Sequence, residues 1–167
     1  MTCEVKILAD SISPQGKRIT TFQLKYWRGI HAELLTHRVF SRNASSSRAI
    51  PVAKMIEQVR QDPAMPIHWG ANQSGMQAHK ELQGEDRRKA MEQWFTAAEM
   101  ASDIAEEMTK IGLHKQVANR ILEPFQYISV VLTATDFDNW FELRDHEDAQ
   151  PEIRELAREM NIALTVP

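Results

Sequence analysis

The segment of residues 36–48 concentrates side chains that bind anions. It combines one histidine with three arginines and four serines: His37, Arg38, Arg42, Arg48, Ser41, Ser45, Ser46 and Ser47. A guanidinium presents a planar fork that fits phosphate oxygens, and loop hydroxyls and amides complete such a cradle. A structural alternative is that His37 and Arg38 complement the negative end of a preceding helix while the serines form a solvated turn. The residue types leave both interpretations open.

The charge of the chain is unevenly distributed. Its formal net charge is −3, yet residues 34–56 contain four basic side chains and no Asp or Glu, which leaves −7 for the remainder. Domains that bind duplex nucleic acid are usually basic overall. A local basic window in an acidic chain therefore favours a compact anionic ligand over nucleic acid.

Other common site motifs are absent from the sequence. The stretch from Gly70 to Gly75 has the glycine spacing of a phosphate loop, but Met76 and Gln77 replace the required lysine and hydroxyl, and no GxGxxG occurs. The six histidines form no compact ligand set, and Cys3 is the only cysteine. We therefore predict neither a metal site nor a disulfide.

Length and composition bound the class of protein. With 167 residues and 43% hydrophobic side chains, the chain predicts a single domain, residues 1–167, with a sizeable core. No apolar run approaches the roughly 20 residues that cross a bilayer, and residues 1–9 lack the pattern of a secretion signal. We expect a cytoplasmic protein without a membrane span.

Hydrophobic periodicity predicts the elements that must position these residues. We expect strands at residues 5–9, 18–26 and 125–133, and helices at residues 27–40, 51–60, 85–111, 113–124, 136–143 and 150–164. The helix at 113–124 would bury Leu113, Val117, Ile121 and Leu122, and residues 41–47 and 63–79 would be loops. This order of strands and helices predicts an α+β fold with a helical majority.

Three ordered blocks between residues 22 and 164 resemble the flavin-dependent thymidylate synthases. The signature of that family is Arg-His-Arg, seven residues and then Ser. The corresponding positions here are Thr36, His37, Arg38 and Ser46, with Ser41, Asn43 and Arg48 also in register. VANRILEP at 117–124 resembles the Arg-then-Pro stretch of the family. NWFELR at 139–144, followed by DAQPEIR at 148–154, resembles its Leu-Arg and Ala-Gln-x-Glu-Ile block.

The resemblance implies a fold, a reaction and ligands. The fold would be α+β, with long central helices packed on a small, mostly antiparallel sheet. The protein would be a homotetramer with active sites shared between subunits. It would hold FAD, dUMP and methylenetetrahydrofolate, transfer a one-carbon unit to C5 of dUMP to give dTMP, and use NADPH as reductant.

The resemblance also implies roles for particular residues. The residues expected at the cofactor are His37, Arg38, Ser41 and Asn43. Those expected at the nucleotide are Glu33, in place of a family glutamine, with Ser46, Arg48, Arg120 and Arg144. Ser46 and Arg144 are expected to be catalytic, and Arg144 would favour the negative charge that develops on the uracil oxygens.

Several alternatives stay open at this point. A related enzyme would release a hydroxymethyl product, and Thr36 and Ala44, which replace a family arginine and glutamate, favour a non-catalytic nucleotide- or flavin-binding homologue. A nucleic-acid-binding module is a third hypothesis. Arg120 would otherwise be a surface arginine, and Arg144 would otherwise pair with a neighbouring acid: Asp145, Glu147 or Asp148.

The loop at residues 63–79 carries a further hypothesis. It contains Trp69 and Asn72, with His68 and His79 nearby. Long ordered loops are usually functional. We therefore expect its aromatic and amide groups to cover the flavin or the folate.

Overall fold

Residues 3–165 are described by a computed structural model, and they cluster into two units. One unit comprises residues 3–45 and 127–165, and the other comprises Ser46–Gln126. The single-domain prediction for residues 1–167 includes positions 1, 2, 166 and 167, which lie outside the described residues. That prediction stays a prediction.

The first unit contains the sheet. Its strands are β1 (Cys3–Ile12), β2 (Arg18–Trp27), β3 (Ser41–Ala44) and β4 (Tyr127–Ala134). Within the described residues they form one four-stranded antiparallel sheet in the order β1-β2-β4-β3. The strands predicted at 5–9, 18–26 and 125–133 are confirmed.

Alternating side chains build the core of this unit on one face of the sheet. Phe22 pairs with Leu132 and Leu24 with Val130 across β2 and β4, and all four are buried. Such alternation places every second residue on the same face. Two helices, α5 (Asp138–Arg144) and α6 (Pro151–Thr165), add buried side chains to the same core: Trp140, Ile153, Leu156, Ala157 and Met160.

The predicted helix at residues 27–40 is largely wrong. Only a 3-10 turn (Arg28–Ile30) and α1 (His31–Leu34) are helical, and residues 35–40 continue as turns. The Arg42 guanidinium satisfies the backbone carbonyls of this segment that have no partner within a helix. It donates to the carbonyls of Leu35 at 2.8 Å, Phe40 at 2.8 Å and His37 at 3.2 Å, which a longer helix would have bonded internally.

The predicted loop at residues 41–47 conceals a strand. Residues Ser41–Ala44 form β3 and pair with β4 in register from Ser41 opposite Thr133 to Ala44 opposite Val130. Ser, Arg and Asn carry little strand preference. The pairing with β4 is a tertiary contact that local pattern does not reveal.

The second unit is helical. It contains α2 (Val52–Gln61), α3 (Gly84–Lys110), α4 (Lys115–Ala118) and a 3-10 turn (Asn119–Phe125). The 27 residues of α3 span about 40 Å at 1.5 Å per residue. Small buried side chains of α3 pack with α2: Ala98, Ala101, Ser102 and Ala105. The predictions for 51–60 and 85–111 are confirmed.

The predicted helix at residues 113–124 is correct in place, and its predicted buried face is wrong at Val117 but confirmed at Leu122. Val117 is 54% exposed, and the buried side chains are Ala118, Asn119 and Leu122. The chain tightens from α4 into a 3-10 turn at Asn119, which shifts the side chains away from the 3.6-residue period. The shift places a polar side chain, Asn119, in the interior.

The α+β class is confirmed: helices and an antiparallel sheet occupy separate stretches of the chain. Within residues 3–165, none of the helices has the length and apolar character needed to cross a membrane.

Candidate functional site

Arg144 joins two other predicted site residues in the first unit. Its Nη1 donates to Glu33 Oε2 at 2.9 Å, and its Nε donates to His37 Nε2 at 3.0 Å. Glu33 is 111 residues away in sequence, whereas the sequence alternative had offered the acids that follow Arg144 directly. The two bonds fix the plane of the guanidinium, and the Arg144 side chain is still 21% exposed.

Three separate elements deliver this cluster. Glu33 lies on α1, His37 lies in the turn after α1, and Arg144 is the last residue of α5. Thr36 anchors the turn because its hydroxyl donates to the Glu33 carbonyl at 2.6 Å. The helix that was expected to end beside His37 and Arg38 ends instead at Leu34, and Arg42 satisfies the nearby carbonyls.

His37 is a buried, neutral hydrogen-bond acceptor. It is 5% exposed and its ring lies 4.8 Å from the Trp140 ring and 5.8 Å from the Phe40 ring, between centroids. Burial lowers its pKa below the ordinary value, and the charges of Arg144 and Arg42 lower it further. Because Nε2 accepts from Arg144, the proton of the neutral ring must lie on Nδ1.

Acidification is expected to destabilise the protein through His37. The unfolded ring gains a proton near pH 6.5 whereas the folded ring resists it. The stabilising contribution of His37 is thus complete above that pH and falls as the pH drops below it, towards the folded pKa. The free energy of unfolding should fall less between neutral and acidic pH in His37→Gln than in the wild type; equal losses would contradict this role. His79→Gln is the control, since His79 is exposed, and this variant should lose as much stability on acidification as the wild type.

The residues expected at the cofactor differ in exposure. Arg38, Ser41 and Asn43 are exposed, and the last two share one face of β3. His37 is the buried exception and touches Arg144. The structure thus leaves three exposed polar side chains within residues 38–43, while a cofactor contact of any of the four residues stays a prediction.

The second unit holds the other predicted nucleotide residues. Ser46 and Arg48 lie in a turn closed by the Ala49 amide, which donates to the Ser46 carbonyl at 3.0 Å. Arg120 lies in the 3-10 turn and donates to Glu123 Oε1 at 2.8 Å. That same oxygen accepts from the Ser47 hydroxyl at 2.7 Å. Arg120 and the turn of Ser46 and Arg48 are therefore joined through one carboxylate, whereas the meeting of Arg48, Arg120 and Arg144 in one pocket stays a prediction.

The sequence analysis did not identify the residues whose hydrogen bonds hold the candidate site residues in place. They are Arg42 in the first unit and Lys115, Gln116, Asn119 and Glu123 in the second. Asn119 and Glu123 flank Arg120 within the block that resembles the family, which was the available signal. Asn119 could not be identified as buried from the sequence, because the helical period placed the buried face at other residues of that block.

Hydrogen bonds join residues 68–71 to residues 78–82 at the base of the loop at residues 63–83, and we call this base the clasp. The backbone amide of Ala71 donates to the backbone carbonyl of Lys80 at 2.7 Å, and the amide of Leu82 donates to the carbonyl of Trp69 at 2.8 Å. Glu81 accepts from the Trp69 amide at 2.9 Å, and the His68 ring bonds the Ala78 carbonyl. Its tip, with Asn72 and an exposed Met76, projects from this base, whereas its role as a cover stays a prediction.

Gly70→Ala is expected to open the clasp. A Cβ at Gly70 would overlap the Ala78 Cβ, because the two strands of the loop cross closely there. Cleavage by a protease within residues 71–78 should accelerate in Gly70→Ala. The compensating pair Gly70→Ala with Ala78→Gly should restore the wild-type rate; unchanged cleavage in the single variant would show that the clasp tolerates the methyl group.

Within the described residues, no group of three His, Cys, Asp or Glu side chains is placed to hold a metal ion. The polar groups that the structure does assemble are guanidiniums, hydroxyls and one imidazole, with the carboxylates of Glu33 and Glu123 bonded to the arginines. That donor set suits an anionic organic ligand.

The chain has an α+β fold in which carboxylates, carbonyls and an amide hold the arginine side chains of the candidate site. The chain belongs to the family described as thymidylate synthase complementing protein, whose family model matches residues 13–165. No curated protein matches the sequence.

Solved structures show the same fold. A UMP/dUMP methylase, PolB from Streptomyces cacaoi, bound with 5-Br UMP, matches with a TM-score of 0.77 and 16% identity, over 97% of this chain and 88% of that one. The same protein bound with 5-Br dUMP matches with a TM-score of 0.75 and 14% identity, over 97% and 89%.

Proposed function

We propose that the protein is a flavin-dependent thymidylate synthase, which transfers a one-carbon unit from methylenetetrahydrofolate to C5 of dUMP and yields dTMP. The observation that carries the proposal is Arg144, which Glu33 and His37 hold by two bonds at a partly exposed position within the signature blocks of the family. A fixed guanidinium is suited to stabilise negative charge on the uracil oxygens as it develops. Membership of the family supports the same reaction.

Ser46, Arg48 and Arg120 would hold the nucleotide, chiefly its phosphate, and Ser46 would also face the reacting base. The solved relative that binds 5-Br dUMP supports a nucleotide of this kind. Glu33 would act on the nucleotide side by orienting Arg144. A uracil nucleotide has both a phosphate for the basic turn and a ring for Arg144.

FAD is the proposed cofactor, and the donor set fits it. Arg38, Ser41 and Asn43 are exposed donors within six residues of sequence, which suits the phosphates and hydroxyls of a dinucleotide. His37 would act through Arg144 because it is buried against it. When bound, FAD would supply the redox chemistry for the transfer of the one-carbon unit, with NADPH as the proposed reductant.

A homotetramer with shared active sites is the proposed assembly, and the surface of α3 supports it. Two large apolar side chains that lie four residues apart, and so on the same face of this helix, are exposed: Met100 and Ile104. Exposed apolar surface of this kind marks contacts between proteins. We place the protein in the cytoplasm, where its nucleotide and folate substrates would be found.

UMP is a second candidate substrate, because the solved relative is a UMP/dUMP methylase that was also seen with 5-Br UMP. The decisive experiment mixes the full-length protein with FAD, NADPH, methylenetetrahydrofolate and either dUMP or UMP that carries tritium at C5. Tritium release with dUMP and formation of dTMP support the proposal. Tritium release with a hydroxymethyl product would instead indicate the related hydroxymethylating enzyme. Release with UMP alone would make UMP the substrate. Binding of flavin and nucleotide without any release would indicate the non-catalytic homologue.

A further inference from the structure

The turn at residues 46–50 depends on neighbours for its shape. It belongs to no helix or strand, and its internal bonds are the Ala49 amide to the Ser46 carbonyl at 3.0 Å and the Arg48 amide to the Ser46 hydroxyl at 3.3 Å. Irregular backbone of this kind keeps one conformation only where other groups satisfy its carbonyls. The turn carries Ser46 and Arg48, so whatever fixes it also fixes them.

Asn119 supplies the buried part of this support. Its side chain is fully buried, at 0% exposure, and Nδ2 donates to the carbonyl of Ser47 at 2.6 Å and to that of Ile50 at 2.9 Å. The two carbonyls bracket Arg48. A reversed amide would set Oδ1 against two carbonyl oxygens, so the hydrogen-bonding pattern fixes the orientation of the side chain.

The turn has three further supports. The Ser47 hydroxyl donates to Glu123 Oε1 at 2.7 Å in a partly buried bond, which holds a side chain and not a backbone carbonyl. The other two supports lie nearer to solvent. Lys115 Nζ donates to the Ala49 carbonyl at 3.1 Å, and Arg48 Nη2 donates to Gln116 Oε1 at 3.3 Å, both at exposed positions. Water competes with such bonds, whereas a buried carbonyl that loses its donor has no replacement. Asn119 is therefore the support that the turn can least replace.

We propose that Asn119 is the positioning residue of the nucleotide site: it holds the turn that presents Ser46 and Arg48 to the phosphate of a pyrimidine nucleotide, without touching the nucleotide itself. This role depends on the proposed function, since the turn must bind phosphate for its shape to affect the substrate.

Asn119→Ala should weaken nucleotide binding more than it slows the chemical step. Loss of both donated bonds frees the turn, and KM for dUMP should rise about tenfold or more. kcat at saturating dUMP should fall by a smaller factor than KM rises, because bound dUMP would reorder the turn that carries Ser46 and the change leaves Arg144 and its partners intact. Deuterium exchange should rise at residues 46–50 but not in α3, and saturating dUMP should slow it again.

Ser102→Ala is the matched control, since Ser102 is also fully buried in the same unit and donates to the Ala98 carbonyl at 2.9 Å. It should lower the free energy of unfolding without changing KM for dUMP or exchange in the turn. If Asn119→Ala cannot be isolated, Lys115→Met removes an outer support at an exposed position and should raise exchange at 46–50 and KM, by a smaller factor.

Two outcomes separate the claims. If the wild type binds dUMP but Asn119→Ala, or Lys115→Met in its place, leaves both KM and exchange in the turn unchanged, the positioning role is overturned. If the wild type does not bind dUMP, the proposed function fails, and with it the nucleotide role of Asn119, whereas exchange at 46–50 still shows whether Asn119 orders the turn.

Discussion

Replacement of Arg144 by alanine is expected to lower tritium release from C5 of dUMP by about 100-fold or more, the usual cost of removing a fixed donor that stabilises developing charge. The bonds to His37 and Glu33 show that the guanidinium is oriented before any ligand arrives. Affinity for dUMP should fall much less than turnover, since the contact strengthens as charge develops on the uracil oxygens. Single-turnover rates and dUMP titrations measure the two effects separately.

Two further variants, Arg144→Lys and Glu33→Gln, and one control make this test more specific. Arg144→Lys keeps the charge but cannot donate from two nitrogens to Glu33 and His37 at once, so activity should stay low. Glu33→Gln keeps an acceptor oxygen without its charge and should cause a smaller loss. Arg158, an exposed arginine on α6 of the same unit, is the matched control. If Arg144→Ala released tritium at the wild-type rate, Arg144 would have no role in the reaction.

Local pattern was sufficient for the strands β1, β2 and β4 and for the helices α2, α3 and α6, because each buries one face with a regular period. It failed at residues 35–44, where neither the turns nor β3 has such a period. The turns depend on the Arg42 side chain, and β3 depends on pairing with β4. Both are tertiary interactions, so no window of sequence contains them.

The candidate site divides in a similar way. The resemblance pointed to Glu33, His37 and Arg144, but their mutual contacts cross 111 and 107 residues of sequence and could be seen only in the folded chain. Asn119 was missed because the helical period pointed to Val117, whereas the 3-10 turn rotates Asn119 inwards. Departures from a regular period thus coincide with the positions that carry the proposed chemistry.

Arg120→Ala is expected to weaken dUMP binding by about 10- to 100-fold, because a hydrogen bond between charged groups contributes about 1.5–3 kcal/mol. Arg120 is half-exposed, and its Nη1 is held by Glu123, so its other nitrogens are free to meet a phosphate. Binding of deoxyuridine, which lacks the phosphate, should not change. Titrations with both ligands at several salt concentrations measure the difference, and the wild type should lose more dUMP affinity with salt than the variant does.

Arg88→Ala is the matched control, because Arg88 also pairs with a glutamate three residues away, Glu85, on the exposed surface of α3 in the same unit. It should leave both affinities unchanged. Equal losses for dUMP and deoxyuridine in Arg120→Ala would instead mean that Arg120 supports the turn through Glu123 and Ser47, since that chain of bonds does not distinguish a nucleotide from a nucleoside. Comparison of the two ligands therefore separates direct phosphate binding from support of the site.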